Sequence, residues 1–144
     1  MIGSTRGGDG WLWCPVLAAV LLFGGRRRLV ATVMPALAAL AGIAVFWVLK
    51  RVAGRKRPVD IAPHCWAELL PPDRFSFPSG HTITSFAVAT SLSLYYPSLG
   101  VPFLLLAASV GASRVVLGMH FLSDVVAGAG LGAALGYGGY RLWP

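Results

Sequence analysis

Acidic side chains are nearly missing from this sequence: five Asp and Glu in 144 residues, against twelve Lys and Arg. Charge of either sign is scarce at 12% of residues, where a soluble domain carries roughly 25%. That shortage excludes an ordinary soluble globular protein. A hydrophobic content of 56% and a mean hydropathy of +0.71 exclude a disordered chain. Cysteine is scarce too. Cys14 lies in an apolar run and Cys65 in a polar stretch, so at most one bridge could form, and there is no CxxC or Cys/His zinc spacing. Both read as bystanders, and no internal repeat is present. What remains is a polytopic membrane protein with a surplus charge of +7. A greasy chain that is also basic must touch anionic headgroups or bind an anion.

The apolar runs predict about five transmembrane helices in one all-α bundle, with residues 1–144 forming a single integral-membrane domain. Trp11–Phe23 is the first. At about 1.5 Å per residue it is short for a roughly 30 Å hydrocarbon core, but it lacks the basic leader and small-residue cleavage site of a signal peptide. Leu29–Leu49 is uncharged and carries Pro35, where a kink is expected. Thr82–Tyr96, with a start near Ser79, is rich in Ser and Thr; Val101–Met119 and Phe121–Leu142 follow. Gly128, Gly132 and Gly136 recur every fourth residue, which puts them on one face for close helix packing. Trp11, Trp13 and Trp143 are read as interfacial anchors.

Alternation of loops places 24–28, 97–100 and the C-terminus at one face, and 50–81 and 118–120 at the other. Arg26-Arg27-Arg28 marks the first face as cytoplasmic. The 50–81 stretch holds six basic residues of its own, so counting positive charge leaves orientation ambiguous. Arg51, Arg55 and Lys56 are read there as headgroup contacts.

Arg114, His120 and Asp124 lie in or beside apolar helices, where ionisable groups default to function. His120 and Asp124 are four apart and share a helical face. A carboxylate there can hold one ring nitrogen and leave the other as a nucleophile or base. A merely structural His–Asp pair is the plain alternative. The same face of the membrane carries Lys50, Arg57 and Pro78-Ser79-Gly80-His81. A helix starting at Gly80 presents backbone N–H groups to an anion, and Lys50, Arg57 and Arg114 supply three cations. Guanidinium forks match phosphate oxygens.

Lys50-x6-Arg57-Pro58, Pro78-Ser79-Gly80-His81 and Ser113-Arg114-x5-His120-x3-Asp124 together resemble the three-part signature of the type 2 phosphatidic acid phosphatase superfamily. These are membrane lipid phosphatases related in fold to soluble acid phosphatases and vanadium haloperoxidases. The resemblance covers residues 50–124 and the helical layout beyond. Such proteins usually have six spans; five are counted here, with the one ahead of Trp11 expected to be missing and the N-terminus outside.

The resemblance implies roles. His120 attacks phosphorus and forms a phosphohistidine. Asp124 holds the His120 tautomer and stabilises the imidazolium. His81 protonates the leaving oxygen and then activates water. Lys50, Arg57, Ser79, Gly80 and Arg114 bind the phosphate. Asp124 would raise the His120 pKa and the cations would lower it. No cofactor is expected, and no metal either, since Asp60, Glu68 and Asp73 are too scattered to hold Mg²⁺. The expected partners are a membrane lipid phosphate and the bilayer, with no nucleic acid. An isoprenyl diphosphate such as undecaprenyl diphosphate leads, with phosphatidic acid or phosphatidylglycerophosphate as the alternative. The expected location is the bacterial cytoplasmic membrane, with the site facing the periplasm. Two other classes fit fewer residues: a non-catalytic anion- or lipid-binding membrane protein, and a haloperoxidase-like vanadate site. His64 is read as exposed, and Trp66, Leu69 and Leu70 as a lipid-guiding patch.

Overall fold

The structure is a computed structural model that describes residues 11–58 and 75–144. Asp60, His64, Cys65, Trp66, Glu68, Leu69, Leu70 and Asp73 lie outside the described residues.

Five α-helices follow one another among the described residues: α1 Trp13–Phe23, α2 Arg28–Ala53, α3 Gly80–Tyr95, α4 Gly100–Val116 and α5 Leu122–Leu142. Short 3-10 turns at Gly25–Arg27 and Pro97–Leu99 join α1 to α2 and α3 to α4. The stretches Val30–Ala53 and Pro97–Val116 are long and apolar enough to cross a membrane. α2 continues through Pro35 and past the expected end at Leu49, so Lys50 belongs to its last turn. α4 stops three residues short of the expected Met119. The chain then turns through Gly118, whose φ of +66° favours a residue without a Cβ. That early stop leaves Met119 and His120 on a tight turn instead of a helix.

α3 is the central element, packed against α5, α2 and α4. Its buried face mixes Ile83, Val88 and Leu92 with Thr82, Ser85 and Ser91. The bundle surface carries large apolar side chains such as Phe23, Leu40, Val52 and Leu105. Polar groups inside and apolar groups outside suit a hydrocarbon solvent, where helices gain from close packing and internal hydrogen bonds. The α5 glycines make that closeness possible. Gly128, Gly132 and Gly136 are all buried, and a Cβ at each would collide with the backbone of α3 at the carbonyls of Ser79, Ile83 and Ala87 respectively.

Trp13 departs from the interfacial reading. It is buried, and its indole N–H donates to Ser85 Oγ at 3.0 Å. A short α1 is thereby pinned to the centre of α3. Trp11 and Trp143 are exposed, and Cys14 is an exposed free thiol.

The two ends of the bundle are joined as the loop alternation requires. At one end Tyr96 OH donates to the Gly24 carbonyl at 2.9 Å, and Tyr95 OH to the Trp143 carbonyl at 2.5 Å. The other end carries the candidate site.

Candidate active site

The candidate residues come from several separate segments, and the turn after α4 is where these meet. Lys50 lies in the last turn of α2, with Nζ 4.3 Å from the Phe46 ring centroid one turn earlier. Gly80 opens α3, and a Cβ there would press within 2.8 Å of that same ring. Gly80 therefore lets α3 begin directly against the aromatic platform under Lys50. Ser79 is the N-cap residue of α3 and is fully buried. Its amide donates to the Asp124 carbonyl at 3.1 Å, and its hydroxyl accepts from Thr82 Oγ1 at 2.9 Å. No side-chain oxygen caps this helix, so its N-terminal partial charge stays available to an anion.

Three cations are nearly inaccessible: Lys50, Arg57 and Arg114, at 4%, 3% and 2% exposure. Arg57 Nη1 donates to the Met119 carbonyl at 2.7 Å. Arg114 Nη1 points at Met119 Sδ at 3.4 Å. The Arg114 carbonyl in turn accepts the amides of Met119 and His120 at 3.1 and 3.2 Å. The turn is thus folded around the two arginines, and His120 is fixed by its own backbone.

The His120 ring is buried and held from both sides. Nδ1 lies 2.6 Å from the Ser76 carbonyl oxygen. A carbonyl can only accept, so Nδ1 carries the proton and Nε2 bears the lone pair. Nε2 faces Arg57 Nη1 at 3.5 Å. Burial first, then Arg57, push the His120 pKa from 6.5 down to about 3, with Lys50 and His81 adding to the fall and the Ser76 bond opposing it. The competition left open by the sequence is decided in favour of the neutral ring. His81, half-buried in the first turn of α3, is close enough to contribute to that balance.

Asp124 lies beside His120 but makes its hydrogen bonds elsewhere. Its carboxylate stands 3.8 Å from His120 Nδ1, beyond hydrogen-bond reach. Oδ2 accepts the Phe121 amide at 2.8 Å, which caps α5, and Oδ1 pairs with Arg55 Nη1 at 2.7 Å. The tautomer is set by the Ser76 carbonyl instead. Ser76 is itself clamped: its amide donates to the Arg55 carbonyl at 2.8 Å and its hydroxyl to the Lys56 carbonyl at 3.0 Å. Arg55, expected at the headgroups, also reaches inward to Asp124. Sequence reasoning missed Ser76 because a backbone carbonyl has no residue-type signal. Arg55 left a faint one, in that a buried carboxylate beside basic residues calls for a partner. Among the described residues, no three His, Cys, Asp or Glu side chains gather as metal ligands.

A helical bundle with an apolar exterior, closed at one end around buried cations and a neutral histidine, defines a class: an integral membrane protein with an anion-handling site. The family is given by comparison. Residues 29–144 match the PAP2 superfamily, and the chain belongs to it. A lipid A 1-phosphatase from Rhizobium johnstonii is 39% identical over 90 residues, covering 60% of this chain and 37% of that protein's length. A decaprenylphosphoryl-5-phosphoribose phosphatase from Mycobacterium tuberculosis is 34% identical over 128 residues, 88% of this chain and 68% of the relative. The crystal structure of Aquifex aeolicus LpxE superposes with a TM-score of 0.78 at 27% identity, over 97% of this chain and 82% of that one.

Proposed function

We propose that this chain hydrolyses a phosphate ester or diphosphate on a membrane lipid through a phosphohistidine, in a single domain spanning residues 1–144. One observation carries the reading: His120 is held neutral, with Nδ1–H on the Ser76 carbonyl and the Nε2 lone pair turned toward buried Arg57. A nucleophile at a phosphate must be unprotonated and must sit where non-bridging oxygens are neutralised.

In the proposed reaction Nε2 attacks phosphorus and the bond to the leaving oxygen breaks. His81 gives that oxygen a proton. Nδ1 keeps its hydrogen, and the positive charge that develops on the ring is stabilised by Asp124 at 3.8 Å. His81, now a base, takes a proton from water, whose oxygen attacks phosphorus and breaks the P–N bond. Inorganic phosphate leaves, and both histidines return to their starting states. Lys50, Arg57, Arg114, Ser79 and the start of α3 at Gly80 hold the phosphoryl oxygens, each such donor being worth about 10²–10³-fold. No metal takes part, and activity survives EDTA.

An isoprenyl diphosphate is the favoured substrate, in line with the decaprenyl chain in the name of the Mycobacterium relative; phosphatidic acid or phosphatidylglycerophosphate is the second choice. The site faces the periplasm of a bacterial cytoplasmic membrane, since Arg26, Arg27 and Arg28 lie at the opposite end. The test is phosphate release in detergent with EDTA, from a panel of isoprenyl diphosphates, phosphatidic acid and phosphatidylglycerophosphate. The expected result is turnover by the native chain and none by His120→Ala. Undiminished release by that variant overturns the scheme.

A further inference from the structure

We propose that Arg55, outside the phosphate-binding set, is a positioning residue for the reaction: it clamps the 55–57 segment to the start of α5 and so holds His120 between Ser76 and Arg57. The inference rests on the reading of His120 as nucleophile. Arg55 makes three contacts at the α5 N-terminus. Nη1 bonds Asp124 Oδ1 at 2.7 Å and Ser123 Oγ at 2.8 Å, and the guanidinium lies 4.1 Å over the Phe121 ring centroid. Its backbone carbonyl receives the Ser76 amide at 2.8 Å. One residue thus touches both the helix that carries Asp124 and the segment that presents the His120 acceptor. Arg57, two residues on, contacts His120 from the other side.

The clamp also allots Asp124. With Oδ1 on Arg55 and Oδ2 on the Phe121 amide, the carboxylate is kept off His120 Nδ1. Without Arg55, a fully buried carboxylate loses its cation. The titratable group it then faces is His120, 3.8 Å away. His120 would then be more easily protonated and drawn away from Ser76. The groups acting on that ring are Lys50 from α2, Arg57 from the connecting segment and His81 from α3, with Asp124 of α5 at 3.8 Å.

The experiment compares the native chain with Arg55→Ala, Arg55→Gln and Arg55→Lys. Lipid phosphate hydrolysis gives kcat and KM. Nitrogen-15 NMR of histidine-labelled protein in detergent gives the His120 protonation midpoint and tautomer, with signals assigned by their loss in His120→Asn. Arg55→Ala is expected to lower kcat by about 10²-fold, the scale of a misplaced reacting group, with KM changed by less than about threefold. Its His120 midpoint rises by more than a unit. Arg55→Gln falls between, and Arg55→Lys restores the native midpoint because a cation again stands beside Asp124. Native kcat and midpoint in Arg55→Ala overturn the proposal, as does lost activity with an unmoved midpoint. Should Arg55→Ala not fold, the order of midpoints in the Gln and Lys variants decides. An inactive native chain would overturn the proposed function, while the NMR series would still decide whether Arg55 governs His120.

Discussion

His120 concentrates the residue-level chemistry. A surface imidazole would be largely protonated below its ordinary pKa of 6.5, whereas burial and Arg57 hold this one near 3. Between those values the unfolded chain takes up a proton that the folded ring refuses. The folded pKa lies below the unfolded one, so His120 leaves stability unchanged above about pH 6.5 and lowers it progressively as pH falls toward 3. Thermal unfolding in detergent across that range should show the decline, and His120→Asn should flatten it. Arg57→Ala removes the leading charge that opposes protonation and, in the proposed reaction, a phosphate ligand as well. Its expected signature is a kcat loss of about 10²–10³-fold and a higher His120 midpoint by NMR; an unchanged midpoint would mean that Arg57 does not face the ring in solution.

At the scale of elements, the α3–α5 contact positions the site. The Asp124 carbonyl receives the Ser79 amide at 3.1 Å, so the two helix starts are bonded to each other. The glycine stripe keeps the axes close along their length. Gly132→Ala drives a methyl group into the Ile83 carbonyl of α3. A loss of about 1–3 kcal/mol is expected from such overpacking, read as a lower Tm. Gly130→Ala is the control, because a Cβ there meets nothing within 4 Å. It should leave Tm unchanged or raise it slightly, since Ala favours a helix over Gly by roughly 1 kcal/mol. Equal losses in both variants would show that the glycines answer to helix propensity instead of packing. The spacing of four made this stripe legible in the sequence. Which helix it would meet was not legible, because any neighbour with a smooth backbone face could have filled the groove.

For the whole molecule, the proposed orientation rests on the opposition of its two ends. Ser98 is exposed in the turn at the Arg26–Arg28 end, and Lys56 is exposed at the site end. In a chain freed of Cys14 and Cys65, Lys56→Cys should react with a membrane-impermeant maleimide in intact spheroplasts, and Ser98→Cys should react only after lysis. The reverse pattern would place the site on the cytoplasmic side. The charge surplus that opened the sequence reading also resolves at this scale. Three of the basic residues, Lys50, Arg57 and Arg114, turn inward, Arg55 serves the interior acid, and the Arg26–Arg28 cluster stays exposed at the far end.

Composition, apolar run lengths and the three spaced motifs were enough to determine a helical membrane bundle of the PAP2 superfamily and to name the residues gathered at one end. Those properties are local, or are set by chain order, because a span must be about twenty apolar residues and successive spans must alternate direction. The partners of His120 and Asp124 were decided by tertiary structure alone. A spacing of four suggests a helical pair, yet α4 ends early at Val116 and α5 begins only at Leu122. His120 therefore sits on a turn, where a carbonyl 44 residues away in sequence reaches Nδ1 at 2.6 Å. Asp124 is left to cap its own helix and to hold Arg55. The neutrality of His120 has the same origin. Residue identity supplied opposing influences on its proton, and only burial among cations from separate elements determined which of them prevails.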